Sequence, residues 1–491
     1  MEGEGKLALL KFILPKVPAM AWAGAMNSLY LSPTSTKWDL RTEIQVSVLR
    51  SIMNPGSSKP SPLGKTQAVT LTDKGARGKM WAAKVTIPKD AEGGTKEVIF
   101  KAIKEMGDGS ETYIKPESES MRAEWVGFRS EAKGEEDPLP DISEEERYKK
   151  LMSEPTRKSK STVLYFHGGA YYLCGFGTHR TAVSRLAKTC GGRGLLVEYR
   201  LAPQSAFPAQ LIDALNSYLY LMYPPEDAMH GPVPANEVVF AGDSAGGNLA
   251  YALLQLLLQM QRTKGVTTGN PTVRYNGKDV EVPLPAGIAT HSPWLDIARS
   301  QRSVETNAKW DYLPSANHDD TMSRFPSDDI WPTDPPRGDI FCDLSLLCHP
   351  LVSPVAAKDW SGSPPMWVSA GEELLTDEGS IVAATAAQQG VTVHWEQYEA
   401  MPHCFAMLMP HVPTSQRSYN TMGDFVQKCL AGKAETSGTW IEARTGKETS
   451  VDPKTVLPYP VADAITRIKE AQRRRINGYE KEGKNMPKPA L

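Results

Sequence analysis

The stretch Glu237-Val238-Val239-Phe240-Ala241-Gly242-Asp243-Ser244-Ala245-Gly246-Gly247-Asn248-Leu249 decides how the rest of the chain is read. Its opening is apolar and rich in β-branched and aromatic residues, as a buried strand is. It turns through Gly-Asp-Ser-Ala-Gly and runs on as the apolar helical pattern Leu249–Leu258. Strand, tight turn with a serine at its apex, then helix is the setting that a G-x-S-x-G nucleophile elbow requires. A side chain two residues before or after Ser244 would collide with the strand or the helix, and glycine stands at both places. The start of the helix aims N–H groups and a partial positive charge at the serine, which suits a developing oxyanion. The alternative is a chance Gly-Ser turn, so the partners of Ser244 must decide.

Upstream, Val163-Leu164-Tyr165-Phe166 is a short apolar strand that runs into His167-Gly168-Gly169-Ala170-Tyr171-Tyr172. Adjacent glycines let the backbone present N–H groups closely to a ligand, as an oxyanion hole needs, and they equally suit a plain strand-to-helix turn. Gly194–Tyr199 reads as another buried strand, followed by Arg200-Leu201-Ala202-Pro203, Phe207-Pro208-Ala209 and a helix with Leu211, Leu215, Tyr218, Leu219 and Met222 on one face. Apolar strands alternating with helices indicate a parallel sheet covered on both faces. Before this core, Lys79–Ile87 and Val98–Ile103 read as strands, residues 54–64 as a loop or linker, and 131–160 as a charged, solvated connector.

Downstream, Gly265–Asp279 reads as a polar insertion loop and Ala286–Thr290 as a strand ending at His291-Ser292-Pro293-Trp294. Trp310–Cys342, rich in Asp, Pro and Trp, is long for a connection and is expected to shape a substrate pocket. The strand Pro365–Ala370 delivers Gly371-Glu372-Glu373-Leu374-Leu375-Thr376-Asp377. A carboxylate just past a strand end is where a serine–histidine pair needs its acid, and Glu372, Glu373 and Asp377 compete for that role. Ile381–Gln389 suits a helix, Val391–Glu396 reads as the last strand, and Ala400-Met401-Pro402-His403-Cys404-Phe405 is a loop. His291 precedes the acid, against the order serine, acid, histidine that accompanies the elbow, and His394 alternates with apolar residues inside a strand; both read as structural.

His-Gly-Gly-Ala at 167–170, Tyr-Arg-Leu-Ala-Pro at 199–203, Phe-Pro-Ala at 207–209 and Gly-Asp-Ser-Ala-Gly-Gly-Asn at 242–248 stand in the order seen in the hormone-sensitive-lipase-like branch of the α/β hydrolases. The chain resembles that branch over about residues 155–430, and within it looks most like fungal esterases and steryl-acetate deacetylases. The resemblance implies an α/β-hydrolase fold: a mostly parallel eight-stranded sheet with helices on both faces and an N-terminal cap. It implies no cofactor, no metal, and hydrolysis of short-chain, often acetyl, esters of an apolar alcohol. It puts the nucleophile at Ser244, the acid at Glu373 and the base at His403, with oxyanion donors at Gly168, Gly169 and Ala245. Three positions depart from the commoner pattern: Glu373 for an aspartate, Ala170 for a third glycine and Cys404 for a glycine. The implied division is 1–130 cap helices and early strands, 131–160 connector, 161–430 catalytic core and 431–491 C-terminal extension. The same triad would serve an amidase or formamidase, and the same fold serves non-catalytic receptors such as those for gibberellin. In those receptors the histidine position is replaced, whereas here all three triad residues stand.

A hydrophobic fraction of 40%, a charged fraction of 23% and a net charge of -2 are those of a soluble protein with no general attraction to nucleic acid or anionic membrane. Six scattered cysteines without a C-x-x-C pair argue against a zinc site or disulfide scaffold and fit a reducing compartment. The acidic start Met1-Glu2-Gly3-Glu4 lacks the basic opening of a secretory signal, and Lys11, Pro15, Lys16 and Pro18 interrupt the apolar segment that ends near Leu31. The expectation is a cytoplasmic protein without a signal peptide, acting on a small-molecule ester. The N-terminal segment reads either as a helix over the mouth of the site or as an interfacial helix in peripheral contact with a membrane. Val461, Ile465, Ile468 and Ile476 lie at helical spacing around Arg473-Arg474-Arg475, either as a helix packed on the core or as a basic helix facing a membrane or partner.

Overall fold

A computed structural model describes residues 17–53, 61–264, 269–314 and 325–481. The beginning of the N-terminal apolar segment, most of the 54–64 loop and the end of the chain with Pro487 and Pro489 lie outside the described residues. The helices are α1 Val17–Ser28, α2 Leu40–Met53, α3 Leu63–Leu71, α4 Gly94–Met106, α5 Glu144–Met152, α6 Phe176–Cys190, α7 Ala209–Met222, α8 Ser244–Thr263, α9 Thr376–Gln388, α10 Pro413–Leu430 and α11 Val461–Lys481, beside shorter turns. The strands are β1 Met80–Ile87, β2 Met121–Phe128, β3 Thr162–Phe166, β4 Arg193–Glu198, β5 Val238–Asp243, β6 Thr272–Tyr275, β7 Lys278–Glu281, β8 Gly287–His291, β9 Met366–Gly371, β10 Val393–Tyr398, β11 Ser437–Ile441 and β12 Glu448–Ser450.

One sheet runs in the order β1-β2-β4-β3-β5-β8-β9-β10-β11-β12. Neighbours from β4 through β11 pair in parallel, while β1–β2, β2–β4 and β11–β12 are antiparallel. Eight strands, the number that the resemblance implies, run from β1 to β10 across this sheet, and two further strands make it wider than expected. The extra strands come from the C-terminal extension, where Tyr398 of β10 pairs with Ile441 of β11. Val391–Glu396 is therefore not the last strand. The helices α6 and α10 cover one face, with α7, α8 and α9 on the other.

The alternation of each strand feeds two cores. Leu164 and Phe166 of β3, Phe240 of β5 and Val368 of β9 enter one, and Val163, Tyr165, Val239, Ala241 and Trp367 the other. Burying each large apolar side chain fully is worth about 1.5–3 kcal/mol before entropy, and the central strands, buried on both faces, form a packed base for the loops at their C-terminal ends.

Further sequence readings differ from the fold. Val98–Ile103 is not a strand but the middle of α4, whose buried Ile99, Ala102 and Ile103 follow helical spacing. The strand β2 was not anticipated, because Glu124 interrupts its apolar pattern. That carboxylate is completely buried against Arg180, which also reaches Asp73. The 131–160 connector contains α5, begun by a Ser143–Glu146 capping box and docked through Tyr148 and Leu151. Of the expected insertion loop, the described part forms the β6–β7 hairpin.

The N-terminal helices form a cap on the site side of the sheet. Trp38 donates its indole N–H to the carbonyl of Ala400 at 2.6 Å, Lys37 pairs with Glu399, and Gln45 of α2 reaches the carbonyl of Leu408 at 2.7 Å. Among the described residues no helix is long and apolar enough to cross a membrane. At the other end of the chain, α11 packs on the core through Ala464, Ile468, Ala471 and Tyr479.

Candidate active site

β5 ends at Asp243, and the chain turns into α8 at Ser244, whose φ of +51° is the left-handed conformation of a strained elbow. A Cβ at Gly246 would stand 2.0 Å from the carbonyl oxygen of Phe166, and one at Gly242 would stand 2.5 Å from the carbonyl carbon of Gly246. Both glycines are required by close backbone approach. Asp243 is buried and locked from several sides: Tyr165 donates its hydroxyl at 2.8 Å, Gly168 its N–H at 3.2 Å, and the His179 ring lies 3.2 Å away. Burial alone would raise the Asp243 carboxyl, but the His179 contact and the Tyr165 hydrogen bond outweigh it and hold it below the usual carboxylate range.

The loop after β3 requires a correction. The N–H of Gly168 is committed inside the protein, to Asp243 and to the Nε2 of His179 at 3.3 Å, so it does not face a substrate. The N–H groups of Gly169 and Ala170 make no hydrogen bond to a described residue. Ala245 sits in the first turn of α8, where N–H groups have no partner within the helix. The N–H groups of Gly169, Ala170 and Ala245 thus have no hydrogen-bond partner among the described residues. Gly169 has φ +111°, and a Cβ there would meet the carbonyl oxygen of Leu173 at 2.2 Å. Ala170 has φ +52°, which is the reason a glycine suits that position. Asn248 of α8 holds this loop by accepting from the Tyr171 hydroxyl at 2.6 Å and donating to the carbonyls of Trp294 and Val352.

β9 and β10 bring the other half of the site to the same edge. Glu373 Oε2 lies 2.7 Å from His403 Nδ1, and both side chains are buried. Burial by itself would lower the His403 imidazole, but the charge and hydrogen bond of Glu373 dominate and raise it above its ordinary value. Of the competing carboxylates, Glu372 accepts the N–H of Ala400, and Asp377 at the start of α9 accepts from the Ser303 N–H and the Tyr459 hydroxyl. Neither is hydrogen-bonded to His403. No hydrogen bond joins Ser244 Oγ to His403 in this structure; such contacts commonly tighten only when a substrate is bound. Cys404 takes φ +51° and directs its thiol toward Asp243 at 3.8 Å, so the position tolerates a side chain at the expense of backbone strain.

Ser244 opens onto a cavity walled by Tyr172, Trp294, Phe325, Ile340, Phe341 and Leu375, with Ala170 at its edge. Leu313, Pro314, Phe325 and Asp339–Phe341 contribute from Trp310–Cys342, in keeping with the expectation that this segment shapes a pocket; its residues 315–324 lie outside the described set. Phe341 stacks on Tyr171 at 3.7 Å, tying that wall to the loop after β3. Met53 of α2 and Arg475 of α11 also line the cavity, Arg475 paired with Asp339 at 2.6 Å.

His291 is buried between Trp367 and Tyr419 and pushed down to about 4 by desolvation, and His394 bonds Ser437 on the far strand β11. His291 stands beside Asp243 in the sheet register, and no hydrogen bond joins either histidine to Ser244 among the described residues. Sequence reasoning missed His179, Asp311 and Asp339, none of which has a local pattern, the unusual length of Trp310–Cys342 pointing only toward the last two; Arg475 stands in the Arg473-Arg474-Arg475 run, which reads as a basic helix face and not as a cavity wall. Among the described residues no group of three His, Cys, Asp or Glu side chains is gathered as a metal site requires.

Residues 163–407 match the model of a family described as alpha/beta hydrolase fold. An acetyl-hydrolase of Streptomyces hygroscopicus is 31% identical over 275 residues, covering 56% of this chain and 77% of that protein. An esterase of Acinetobacter venetianus is 27% identical over 265 residues, covering 54% and 73%. Among solved structures, an esterase from the bacterial hormone-sensitive lipase family aligns with a TM-score of 0.52 at 21% identity over 80% of this chain and 99% of that one, which is agreement of fold. The chain belongs to the α/β-hydrolase fold family, and its relatives are hydrolases of the esterase type.

Proposed function

We propose that this protein is a serine carboxylic-ester hydrolase with Ser244 as nucleophile, His403 as base and Glu373 as the acid that orients it. The observation that carries the proposal is the buried Glu373–His403 pair, 2.7 Å apart, at the same sheet edge as a strained serine that opens onto a cavity. His403 Nε2 takes the proton of Ser244 as Oγ attacks the ester carbonyl carbon. The carbonyl oxygen gains the charge and is met by the N–H groups of Gly169, Ala170 and Ala245, each such donor being worth about 10²–10³ in turnover. The intermediate collapses, the C–O bond to the alcohol breaks, and the imidazolium returns its proton to the leaving oxygen. Water then attacks the acyl-serine with His403 again as base, releasing the carboxylic acid.

The aromatic and aliphatic cavity supports an apolar alcohol, and the acetyl-hydrolase relative supports a short acyl group. Steryl acetates are the substrates that the sequence resemblance favours. The test is hydrolysis across acyl lengths on p-nitrophenyl, naphthyl and steryl esters, with matched amides, together with labelling by a fluorophosphonate. We expect acetyl or butyryl esters to be the preferred substrates, amides to be poor ones, and the label to sit on Ser244. Unchanged activity in Ser244→Ala, or a label elsewhere, overturns the proposal.

A further inference from the structure

Asp311 lies at the start of the Trp310–Cys342 segment, is almost wholly buried and touches both loops of the acid–base pair. Its Oδ2 accepts the N–H of Leu374, the residue after Glu373, at 2.9 Å. Its Oδ1 accepts the N–H of His403 at 3.3 Å, as well as those of Tyr312 and Leu313. One carboxylate thus fixes the spacing of two loops that come from different strands. Its own backbone is gripped in turn. Arg50 of α2 donates from Nε to the carbonyl of Asp311 at 2.8 Å and from Nη2 to that of Lys309, with its guanidinium over the Trp38 ring.

We propose that Asp311 is a positioning residue for the Glu373–His403 pair, held in register by Arg50, so that the N-terminal helix α2 is part of what keeps the base aligned. The inference rests on the functional reading above. Asn at 311 has nearly the same shape but only one acceptor oxygen. Backbone donors approach both carboxylate oxygens, so whichever way an amide faces, an N–H of Leu374 or of the His403 side loses its acceptor. The loops then shift by a fraction of an ångström, and misplacements of about 1 Å cost on the order of 10²-fold in rate. The charge of Asp311 also acts on His403, beside those of Glu373 and Asp243, with Tyr312 and the Cys404 thiol as the other titratable neighbours.

The experiment compares wild type, Asp311→Asn and Arg50→Ala by kcat per fluorophosphonate-titrated site, by the pH profile of kcat/KM, and by NMR titration of the His403 imidazole. We expect Asp311→Asn to lose about 10²-fold in kcat with KM within about threefold, and to shift both the acidic limb and the imidazole titration to lower pH. Arg50→Ala should lose about three- to tenfold in kcat per site with its pH limb in place. Wild-type kcat per titrated site and an unmoved limb in Asp311→Asn would mean that the residue only supports folding, and would overturn the proposal. If Asp311→Asn does not fold, Arg50→Ala decides: wild-type kcat per site overturns the proposal and the stated loss supports it. A wild-type protein that neither hydrolyses esters nor takes the label defeats the functional reading instead. The imidazole titration in Asp311→Asn then still decides whether Asp311 governs His403.

Discussion

Asp243, which sets the nucleophile turn, is held by Tyr165, Gly168 and His179, at sequence separations of 78, 75 and 64 residues. All belong to one β-α-β-α-β run. The Glu373–His403 side is held by Asp311 at separations of 63 and 92 residues, and the loop bearing His403 is pinned by Trp38 and Lys37 across 362 residues. The nucleophile side is thus supported from within the central strands and the helices that directly follow them. The histidine side is supported by Asp311, from a long connection after β8, and by Lys37 and Trp38, which lie outside the region that the family model matches, residues 163–407. Parts that must approach one another within a few turns of chain leave glycines at fixed offsets. Parts that meet only after the chain has folded leave single residues with no pattern around them.

The largest effect that tests this contrast lies within the acid loop. Glu373→Gln keeps the volume and one acceptor but cannot stabilise the imidazolium, and a neutral replacement of a triad acid has cost about 10⁴ in turnover elsewhere. We expect a loss of that order with an unchanged melting temperature. Asp377→Asn, two residues along the same turn of α9 from Leu375, should do the reverse. It weakens the hydrogen bonds to Ser303 and Tyr459, lowers the melting temperature, and leaves turnover within about threefold. If Asp377→Asn is the inactive one at unchanged Tm, the acid is Asp377 and the 2.7 Å contact of Glu373 is incidental.

The same contrast explains what was legible beforehand. Ser244 and His403 stand past apolar strands in recognisable phrases. The residues alone leave Glu372, Glu373 and Asp377 competing, and only the family resemblance favours Glu373, the one carboxylate of the three that lies 2.7 Å from His403. A Gly-Gly pair shows that backbone comes close to something, without showing what, and the Gly168 N–H faces Asp243. The central parallel strands were legible through their continuous apolarity. β2 was hidden by a buried ion pair, and β11 by its shortness and the glycine within it. Within α4, Val98-Ile99-Phe100 has strand composition, whereas the burial of Ile99, Ala102 and Ile103 is helical.

A second effect, about tenfold per pH unit on the acidic limb, separates the two sides by sign. His403 must be neutral to act as base. Its value is raised above the ordinary imidazole, so kcat/KM should climb through a limb placed above that ordinary value. Stability should move the other way. A histidine with a raised folded value contributes stability that is full below its unfolded value and is lost as pH rises through the folded one. His167 and His291 are pushed down to about 3 and about 4 by burial, so their contribution changes only as pH falls below the ordinary imidazole value. Across the window above it, the melting-temperature gap between wild type and the double variant Glu373→Gln/His403→Gln, which leaves no buried carboxylate unpaired, should therefore narrow with rising pH while wild-type activity increases. A gap that widens would place the stabilising charge elsewhere.

The smallest expected effect concerns the far wall of the cavity, where the C-terminal extension meets the Trp310–Cys342 segment. Arg475 and Asp339 are only 8% and 11% exposed, paired at 2.6 Å, and both line the same cavity as Ser244 among Ile340, Phe341 and Tyr172. A buried ion pair need not stabilise a fold, since desolvation offsets the attraction. Its consequence here is shape and polarity at the end of a mainly apolar pocket. Asp339→Asn with Arg475→Gln removes both charges together and avoids leaving one unpaired. An acetyl ester of a small alcohol does not fill the cavity, so its kcat and KM should stay within about twofold. An ester of a bulky apolar alcohol reaches the wall, and its KM should fall by about threefold as a charged surface gives way to a neutral one. Equal changes in kcat for both esters would mean that α11 acts on the catalytic residues themselves, and the division between a locally built nucleophile side and remotely held additions would then not extend to the C-terminus.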